Sequence, residues 1–100
     1  MTTPLQRASQ PLADQGYPRA QYEIGNLYLL GQGVPYDLAE GMRWYYKAAE
    51  QGYPRAQLDL GWMYQYDTSV LNYAEAVKWY RKAAGVFTEA QHAAPARPNV

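Results

Sequence analysis

The stretch QGYPRAQ is the most informative part of this sequence, because it occurs at residues 15–21 and again, unchanged, at residues 51–57. The two copies begin 36 positions apart, and a period of this size is typical of a helical solenoid, in which one small unit stacks on the next. A glycine beside tyrosine, proline and arginine is also the composition of a ligand-binding turn. Two interpretations therefore stand at the outset, a duplicated binding loop and a structural joint between repeats.

The repeat extends beyond this stretch. The segment AEGMRWYYKAA (residues 39–49) returns as AEAVKWYRKAA (residues 74–84), displaced by 35 positions, so one residue has been lost between the two blocks. Each unit is predicted to contain two helices, the first of which has an apolar face at i, i+4, i+7 and i+8. In the first copy these positions are Ala20, Ile24, Leu27 and Tyr28.

A glycine recurs inside each first helix, as Gly25 and Gly61. Glycine inside a helix costs about 1 kcal/mol relative to alanine. Its presence at the same place twice therefore predicts a neighbouring helix that passes too close for a side chain.

The second helix of each unit has a matched start. Asp37 is followed three positions later by Glu40, and Asn72 by Glu75, which is the spacing of a capping box. Two carboxylates at this interval also resemble an acid and base pair, but the asparagine of the second copy cannot titrate. We therefore favour capping. Further along the same helix, aromatic and alanine residues are interpreted as core in preference to a cofactor box; they are Trp44, Tyr45, Ala48 and Ala49.

The composition argues against several classes of function. Nine basic residues balance nine acidic ones, which leaves little electrostatic attraction for nucleic acid or an anionic membrane. With no cysteine and one histidine, His92, we predict no metal site, no cofactor and no catalytic residue. No apolar run is long enough to cross a bilayer. By default we expect a cytoplasmic protein, with export by another route left open.

At these motifs the sequence resembles a known family. The patterns AQxxxGxxY, GxGVPxDxAE and WYxKAAxQG are similar to those of the Sel-one-like repeat (SLR) family, a relative of the tetratricopeptide helical repeats, over residues 13–91. The resemblance implies an αα-hairpin solenoid that serves as a scaffold for protein complexes and is generally not an enzyme. The second copy departs from the pattern in its loop, and the segment GVFTEAQ after Ala84 keeps only the end of the expected joint.

The predicted fold class is all-α, an αα-hairpin solenoid of the SLR and tetratricopeptide type, with two full repeats and partial repeats at both ends. Residues 1–16 are predicted to be a partial N-terminal repeat helix. Repeat 1 covers residues 17–52, with helices at about 18–30 and 38–51, and repeat 2 covers residues 53–87, with helices at about 54–66 and 73–84. Residues 88–100 are predicted to be a further partial repeat and a disordered tail.

A stripe on the first helices is the candidate binding surface. Core positions stay the same between the copies, whereas most positions at i, i+3, i+7 and i+10 from the arginine change. In the tetratricopeptide-like solenoids that the chain resembles, this stripe lines the concave groove. The change favours recognition of an irregular partner, and an unconstrained surface is the alternative. Trp62, expected to be exposed, supports recognition because tryptophan is a frequent hot-spot residue. The predicted partner-binding residues are Arg19, Tyr22, Asn26, Leu29, Arg55, Leu58, Trp62, Gln65 and Tyr66.

Two members of the stripe, Arg19 and Arg55, do repeat. A cation in the first turn of a helix opposes the helix dipole, so we expect a compensating partner. Ion pairs across the joint with Asp14 and Glu50 are one interpretation, and an acidic group on a ligand is the other.

Three functions are compatible with these features, in order of preference. The first is a non-catalytic protein-interaction module or adaptor that binds a partner peptide or domain on the concave first-helix surface. The second is a structural unit that self-associates through its exposed repeat ends, which include Leu5 and Phe87. An RNA-binding helical repeat is the remote third, because the groove is not basic.

The expected partners are therefore a protein or peptide, or further copies of the chain in a homo-oligomer, and neither nucleic acid nor a membrane. Solenoids usually need about three stacked units. With two, we expect the chain to associate with itself or a partner, or to be marginally stable.

Overall fold

The computed structural model of the chain describes residues 3–92, with side chains described for residues 3–85. This part of the chain contains five helices and no strand. The helices are α1 (Pro4–Asp14), α2 (Pro18–Leu30), α3 (Leu38–Glu50), α4 (Pro54–Tyr66) and α5 (Tyr73–His92). Each helix packs against the helices that precede and follow it in the chain. The predicted all-α, αα-hairpin solenoid is confirmed.

Both copies of QGYPRAQ form the joint between a second helix and the next first helix. Gly16 and Gly52 have φ angles of 101° and 89°, in the left-handed region that ends a helix. In the first copy the backbone N–H of Tyr17 donates to the carbonyl of Leu12 at 3.1 Å. Pro18 then opens α2 in its first turn, where its missing N–H costs nothing. The stretch is therefore a structural joint.

The predicted caps are present in part. The side chain of Asp37 accepts the backbone N–H of Glu40 at 3.1 Å, and Asn72 accepts that of Glu75 at 3.1 Å. The glutamate does not reach back to complete the box. Instead, the Glu40 carboxylate accepts from Arg43 Nη2 at 2.7 Å, because a cation one turn away is the stronger partner. This ion pair also lowers the pKa of Glu40.

The shortened loop of the second repeat turns without glycine. In the first repeat Gly31 and Gly33 have positive φ angles of 65° and 81°. In the second, the Asp67 carboxylate accepts from the Ser69 hydroxyl at 2.6 Å and from its backbone N–H at 3.0 Å. These hydrogen bonds lower the pKa of Asp67. A side-chain turn thus replaces the glycine turn.

The last helix is longer than predicted. Helices α2 and α4 have the expected bounds, and α3 ends one residue before the expected 51. Helix α5 continues to His92, so the end predicted at 84 is wrong. At Gly85 the φ angle is not positive, and no proline directly follows it to begin a new helix. Residues 1–2 and 93–100, which include most of the predicted tail, lie outside the described residues, as does the side chain of Phe87.

Two buried clusters form the core of the described helices. One consists of Ala13, Ala20, Ile24, Leu27 and Trp44. The other consists of Tyr45, Ala48, Ala49, Ala56, Leu60 and Trp79. These clusters contain Trp44, Tyr45, Ala48, Ala49 and Trp79 of the second helices, in agreement with their interpretation as core. Ala84, the counterpart of Ala49, is exposed.

Gly25 and Gly61 lie where two helices approach closely, as their recurrence predicts. A Cβ atom added to Gly25 would be 2.6 Å from Cδ1 of Tyr45 and 3.0 Å from the carbonyl oxygen of Gly41. At Gly61 it would be 2.7 Å from Cε1 of Tyr80. Both glycines therefore leave room for the second helix of their own repeat.

Replacing glycine with alanine is expected to change the free energy of unfolding in opposite directions at two glycines that lie within helices. Gly25→Ala should lower the free energy of unfolding by about 1–3 kcal/mol, because the added Cβ overpacks the contact with α3. Gly85→Ala should raise it by up to about 1 kcal/mol, because nothing lies within 4 Å of the added Cβ. Urea unfolding followed by circular dichroism measures both changes. Equal effects at the two positions would contradict the close-approach argument.

Candidate functional site

The structure separates the nine predicted partner-binding residues into two groups. Members of the first make contacts between helices; they are Tyr22, Asn26, Leu29 and Gln65. Members of the second are exposed; they are Arg19, Arg55, Leu58, Trp62 and Tyr66.

Tyr22 joins the first repeat to the second. Its ring stacks on Tyr45 with ring centres 5.0 Å apart, and its hydroxyl donates to the Asp59 carboxylate of α4 at 2.6 Å. Burial and Asp59 raise the pKa of Tyr22, and Arg55 opposes this effect. The counterpart of Tyr22 in α4 is Leu58, which is 46% exposed. The change between copies at this position therefore has a structural source, which corrects the premise that variation along the stripe reflects recognition alone.

The tyrosine of each second helix has a different hydrogen-bond acceptor. The hydroxyl of Tyr45 donates to Oδ1 of Asn26, whereas that of Tyr80 donates to Oε1 of Gln65 at 2.7 Å. Trp62 occupies the position that matches Asn26, and Gln65 follows it by three residues. Because Gln65 supplies the acceptor in the second repeat, position 62 has no such structural role and can carry an exposed tryptophan.

Leu29 takes the place of Gln65 in the first repeat and packs against α3. A Cβ added to Gly41 would lie 2.5 Å from Cγ of Leu29. In the second repeat Ala76 stands at the position of Gly41. The residues at these two facing positions therefore differ together between the repeats. The first repeat has Leu29 opposite Gly41, and the second has Gln65 and Ala76 at the same positions.

Arg19 and Arg55 pair within their own helices. Nε of Arg19 is 3.7 Å from Oε2 of Glu23, and Nε of Arg55 is 3.4 Å from Oδ1 of Asp59. The compensating acids thus lie one turn further along the helix and not across the joint. Both arginine side chains are largely exposed, so these pairs contribute little to stability. Their guanidinium groups remain accessible to a partner.

Three large side chains form an exposed apolar row on α4, which we call the α4 stripe. Leu58, Trp62 and Tyr66 follow one another at intervals of four residues and are 46%, 59% and 56% exposed. The rings of Trp62 and Tyr66 are in contact, with centres 4.9 Å apart. The expected exposure of Trp62 is confirmed. Because large exposed apolar surfaces are typical of interaction sites, the α4 stripe is the candidate site.

Leu58 lies on the side of the second repeat that corresponds to the inter-repeat contact of the first, whereas the α2 counterpart of Tyr66, Leu30, is exposed. Tyr22 meets α4 at the position that Leu58 leaves exposed. In α5, Val77 is likewise exposed, whereas its counterpart Met42 packs against the second buried cluster. By the repeat symmetry, Val77 belongs to the same open side. The sequence comparison missed it, although an apolar residue at both copies of this position was the available signal.

Basic side chains of the second helices stack on the buried tryptophans. Arg43 and Lys47 lie 5.1 Å and 4.8 Å from the ring centre of Trp44. Lys78 and Lys82 lie 5.2 Å and 5.8 Å from that of Trp79. These are cation–π distances. Lys78 and Lys82 therefore have a packing role and do not by themselves indicate an anionic partner.

Among the described residues, no group of three or more histidine, cysteine, aspartate or glutamate side chains could hold a metal ion. Over that same part of the chain, no helix has both the length and the hydropathy needed to cross a membrane.

Successive helix pairs joined by identical turns, with an exposed apolar row on one first helix, define a helical-repeat protein. The sequence model of the Sel1 repeat family matches residues 18–53 and 54–84. The chain belongs to the Sel1 repeat family. Members of this family generally form protein-interaction modules. No match was found among curated proteins.

Two solved structures are similar to the chain. A Sel1 repeat protein from Oxalobacter formigenes is 39% identical with a TM-score of 0.72, over 79% of this chain and 60% of that protein. The protein c5321, a protective antigen present in uropathogenic Escherichia coli strains and displaying an SLR fold, is 39% identical with a TM-score of 0.74. That match covers 83% of this chain and 18% of c5321. The chain thus spans about three fifths of the first protein and less than a fifth of the second.

Proposed function

We propose that the chain is a non-catalytic protein-interaction module that binds a partner peptide or domain through the exposed members of the first-helix stripe. The observation that carries this proposal is the α4 stripe, with Trp62 at its centre and 59% exposed. Tryptophan and tyrosine are the residue types most enriched among interface hot spots. The general role of Sel1 repeats in protein interaction supports the same function.

The surroundings of the α4 stripe indicate the chemistry of its partner. Arg55 and Asp59 lie towards its N-terminal end, and Gln65 and Asp67 lie towards its C-terminal end. A protein interface usually has an apolar centre surrounded by polar side chains, and here those side chains include both positive and negative charges. A protein segment with an apolar face and mixed charges at its edges fits this surface. The carboxylate beside each arginine weakens the attraction that an RNA backbone would need.

Replacing Trp62 with alanine is expected to weaken partner binding by about 2 kcal/mol or more, which is roughly thirtyfold in the dissociation constant. The far-ultraviolet circular dichroism spectrum should not change, because the ring is largely exposed. A pull-down from the source organism with immobilised wild-type and variant chains would identify the partner. Titration of the purified partner then measures the loss of affinity.

Leu30→Ala is the matched control for this experiment. Leu30 is 66% exposed and occupies in α2 the position that Tyr66 occupies in α4. We expect this variant to retain the partner, because it removes exposed apolar surface outside the α4 stripe. Equal affinity of the wild-type and Trp62→Ala chains for the partner would contradict the proposed function.

A further inference from the structure

The buried core of the described helices is divided between two clusters that share no residue. Every member of the first buried cluster belongs to α1, α2 or α3, whereas the second buried cluster joins α3 to α4 and α5. The boundary lies within α3, where Trp44 belongs to the first cluster and Tyr45 to the second. Separation of α4 and α5 from α3 would therefore leave the first cluster intact.

The polar contacts of α4 with the earlier helices can be replaced by water. The hydroxyl of Tyr22 donates to the carboxylate of Asp59 at 2.6 Å, and both side chains are partly exposed. The side-chain amide of Gln57 donates to the carbonyl oxygen of Ala49 at 3.0 Å. Water would satisfy these groups if α4 moved away, so the net contribution of each hydrogen bond is modest.

A glutamine of each first helix is buried beside the joint, but its side-chain oxygen has a donor only in the first repeat. Oε1 of Gln21 accepts from Nε2 of Gln51 at 2.9 Å. Oε1 of Gln57, the counterpart of Gln21, is buried and has no hydrogen-bond donor among the described residues. By the shift of 35 positions between the second helices, the counterpart of Gln51 is Val86, whose side chain cannot donate a hydrogen bond.

The buried tryptophans differ in the same way. The indole N–H of Trp44 donates to Oε2 of Glu40 at 3.2 Å. Nε1 of Trp79 is buried and has no acceptor among the residues that the structure describes. The carboxylate that corresponds to Glu40 belongs to Glu75 and lies 3.6 Å from Nζ of Lys78. A buried polar atom without a partner destabilises the folded state, because unfolding returns it to water. In the described part of the chain, both atoms of this kind belong to the second repeat.

We propose that the second repeat opens as one unit, with α4 and α5 leaving α3 together while α1, α2 and α3 remain folded around the first buried cluster. Proteins open locally in cooperative units, and the units with fewer buried contacts open at lower free energy. The second repeat contains the two unpaired polar atoms. It also leaves exposed three apolar side chains whose counterparts in the first repeat are covered; they are Leu58, Val77 and Ala84.

The opening has a consequence for binding. The α4 stripe is part of the unit that opens, so a chain with an open second repeat cannot bind a partner through it. A partner bound to the stripe would in turn hold the repeat closed. This consequence rests on the proposed function, whereas the opening itself does not.

Native-state amide hydrogen exchange, followed by nuclear magnetic resonance, tests the opening in the wild-type chain. Leu60 and Met63 of α4 match Ile24 and Leu27 of α2 in the repeat. Where the exchange rate reports the opening equilibrium, the α4 amides are expected to open at least about tenfold more often than the α2 amides. Equal opening of both helices, or more frequent opening of α2, would overturn the proposal.

A variant of the first buried cluster separates partial from global opening. Ile24 is 1% exposed, so Ile24→Val should raise the opening equilibrium of the α2 amides by about threefold or more. It should leave that of the α4 amides unchanged, because the first cluster is intact in both the closed and the open state. A parallel rise in α2 and α4 would show that both are exposed only by global unfolding, and it overturns the proposal.

Gln21→Met and Gln57→Met form a matched pair, since the two glutamines are 5% and 3% exposed at the same position of the repeat. Gln21→Met breaks the hydrogen bonds to Gln51 and to the carbonyl of Ala13, so opening of the α2 amides should rise by about tenfold. Gln57→Met removes the unpaired oxygen together with the bond to Ala49. Opening of the α4 amides should therefore rise by less than about threefold.

A larger rise in α4 for Gln57→Met than in α2 for Gln21→Met would show that the oxygen of Gln57 is paired in solution. That result overturns the unpaired atoms as the source of the opening. Circular dichroism of each variant checks that it is folded.

The opening and the proposed function can fail separately. Uniform exchange in a chain whose Trp62→Ala variant loses its partner overturns the opening and supports the interaction module. Opening of the second repeat in a chain whose partners are all retained by Trp62→Ala supports the opening and overturns the interaction module.

Discussion

Replacing Trp79 with alanine is expected to lower the free energy of unfolding by about 3–5 kcal/mol. Trp79 is 1% exposed and is the largest of the fully buried side chains. Tyr46 packs edge-on against its ring, with ring centres 5.1 Å apart. Alanine would leave a cavity in the second buried cluster that its neighbours fill only in part. For a domain of this size the thermal midpoint should fall by more than about 12 °C, which circular dichroism on heating measures.

The same substitution at Trp62 is the control for this experiment. Trp62 is 59% exposed, so Trp62→Ala should stay within about 0.5 kcal/mol of the wild type at concentrations where both chains are monomeric. Trp79→Phe should cost less than Trp79→Ala, because it keeps an aromatic ring. It also removes the indole N–H, which has no hydrogen-bond partner among the described residues. Equal losses for the two alanine variants would contradict the assignment of one tryptophan to the core and the other to the surface.

The stability of the chain is expected to fall steeply as the pH rises above about 10. Burial raises the pKa of Tyr45, and the neighbouring Tyr22 and Asp59 raise it further. A pKa that is raised in the folded state stabilises the fold fully below the unfolded-state pKa, and this stabilisation is lost as the pH rises above that value. For Tyr45 alone, the free energy of unfolding should fall by about 1.4 kcal/mol per pH unit. Tyr22, whose pKa burial also raises, should add to this slope.

Denaturant unfolding between about pH 8 and pH 11 measures this slope, since an unfolded tyrosine ionises near pH 10. In Tyr45→Phe the slope should be smaller by about 1.4 kcal/mol per pH unit, although the variant also loses the hydrogen bond to Asn26. Tyr73→Phe is the control, a change of the same kind at a ring that is 63% exposed. A slope that is the same in the wild-type and Tyr45→Phe chains would show that Tyr45 is not the group responsible.

Much of this fold could be predicted from the repeat because its local backbone requirements select particular residue types. Gly16 is needed where the chain takes a left-handed conformation, Pro18 where a helix opens, and Gly25 where a second helix approaches. Each requirement is met inside one repeat unit. Comparison of the two copies was therefore enough to place α2, α3 and α4 to within one residue.

The extension of α5 and the roles of the stripe residues could not be predicted in this way. The absence of a joint after Ala84 does not indicate what replaces it, and here the helix simply continues. Whether Tyr22 or Leu58 is covered depends on which helix lies beside it, and two sequence copies do not contain that information. The exposed aromatic surface around Trp62 was predicted correctly, but for an incomplete reason, because part of the variation along the stripe comes from packing between repeats.

Tyr45 and Tyr80 each need one hydrogen-bond acceptor, and either of two consecutive turns of the facing helix can supply it. In the second repeat the position that is not used for this purpose carries the exposed Trp62, whereas in the first it carries Leu29, which packs against α3. The internal hydrogen bond of the tyrosine and the residue exposed on the surface are therefore separable in the second repeat. A repeat that moves its acceptor by one turn can acquire a new surface residue while its tyrosine stays bonded, so the surface of an array can change one repeat at a time.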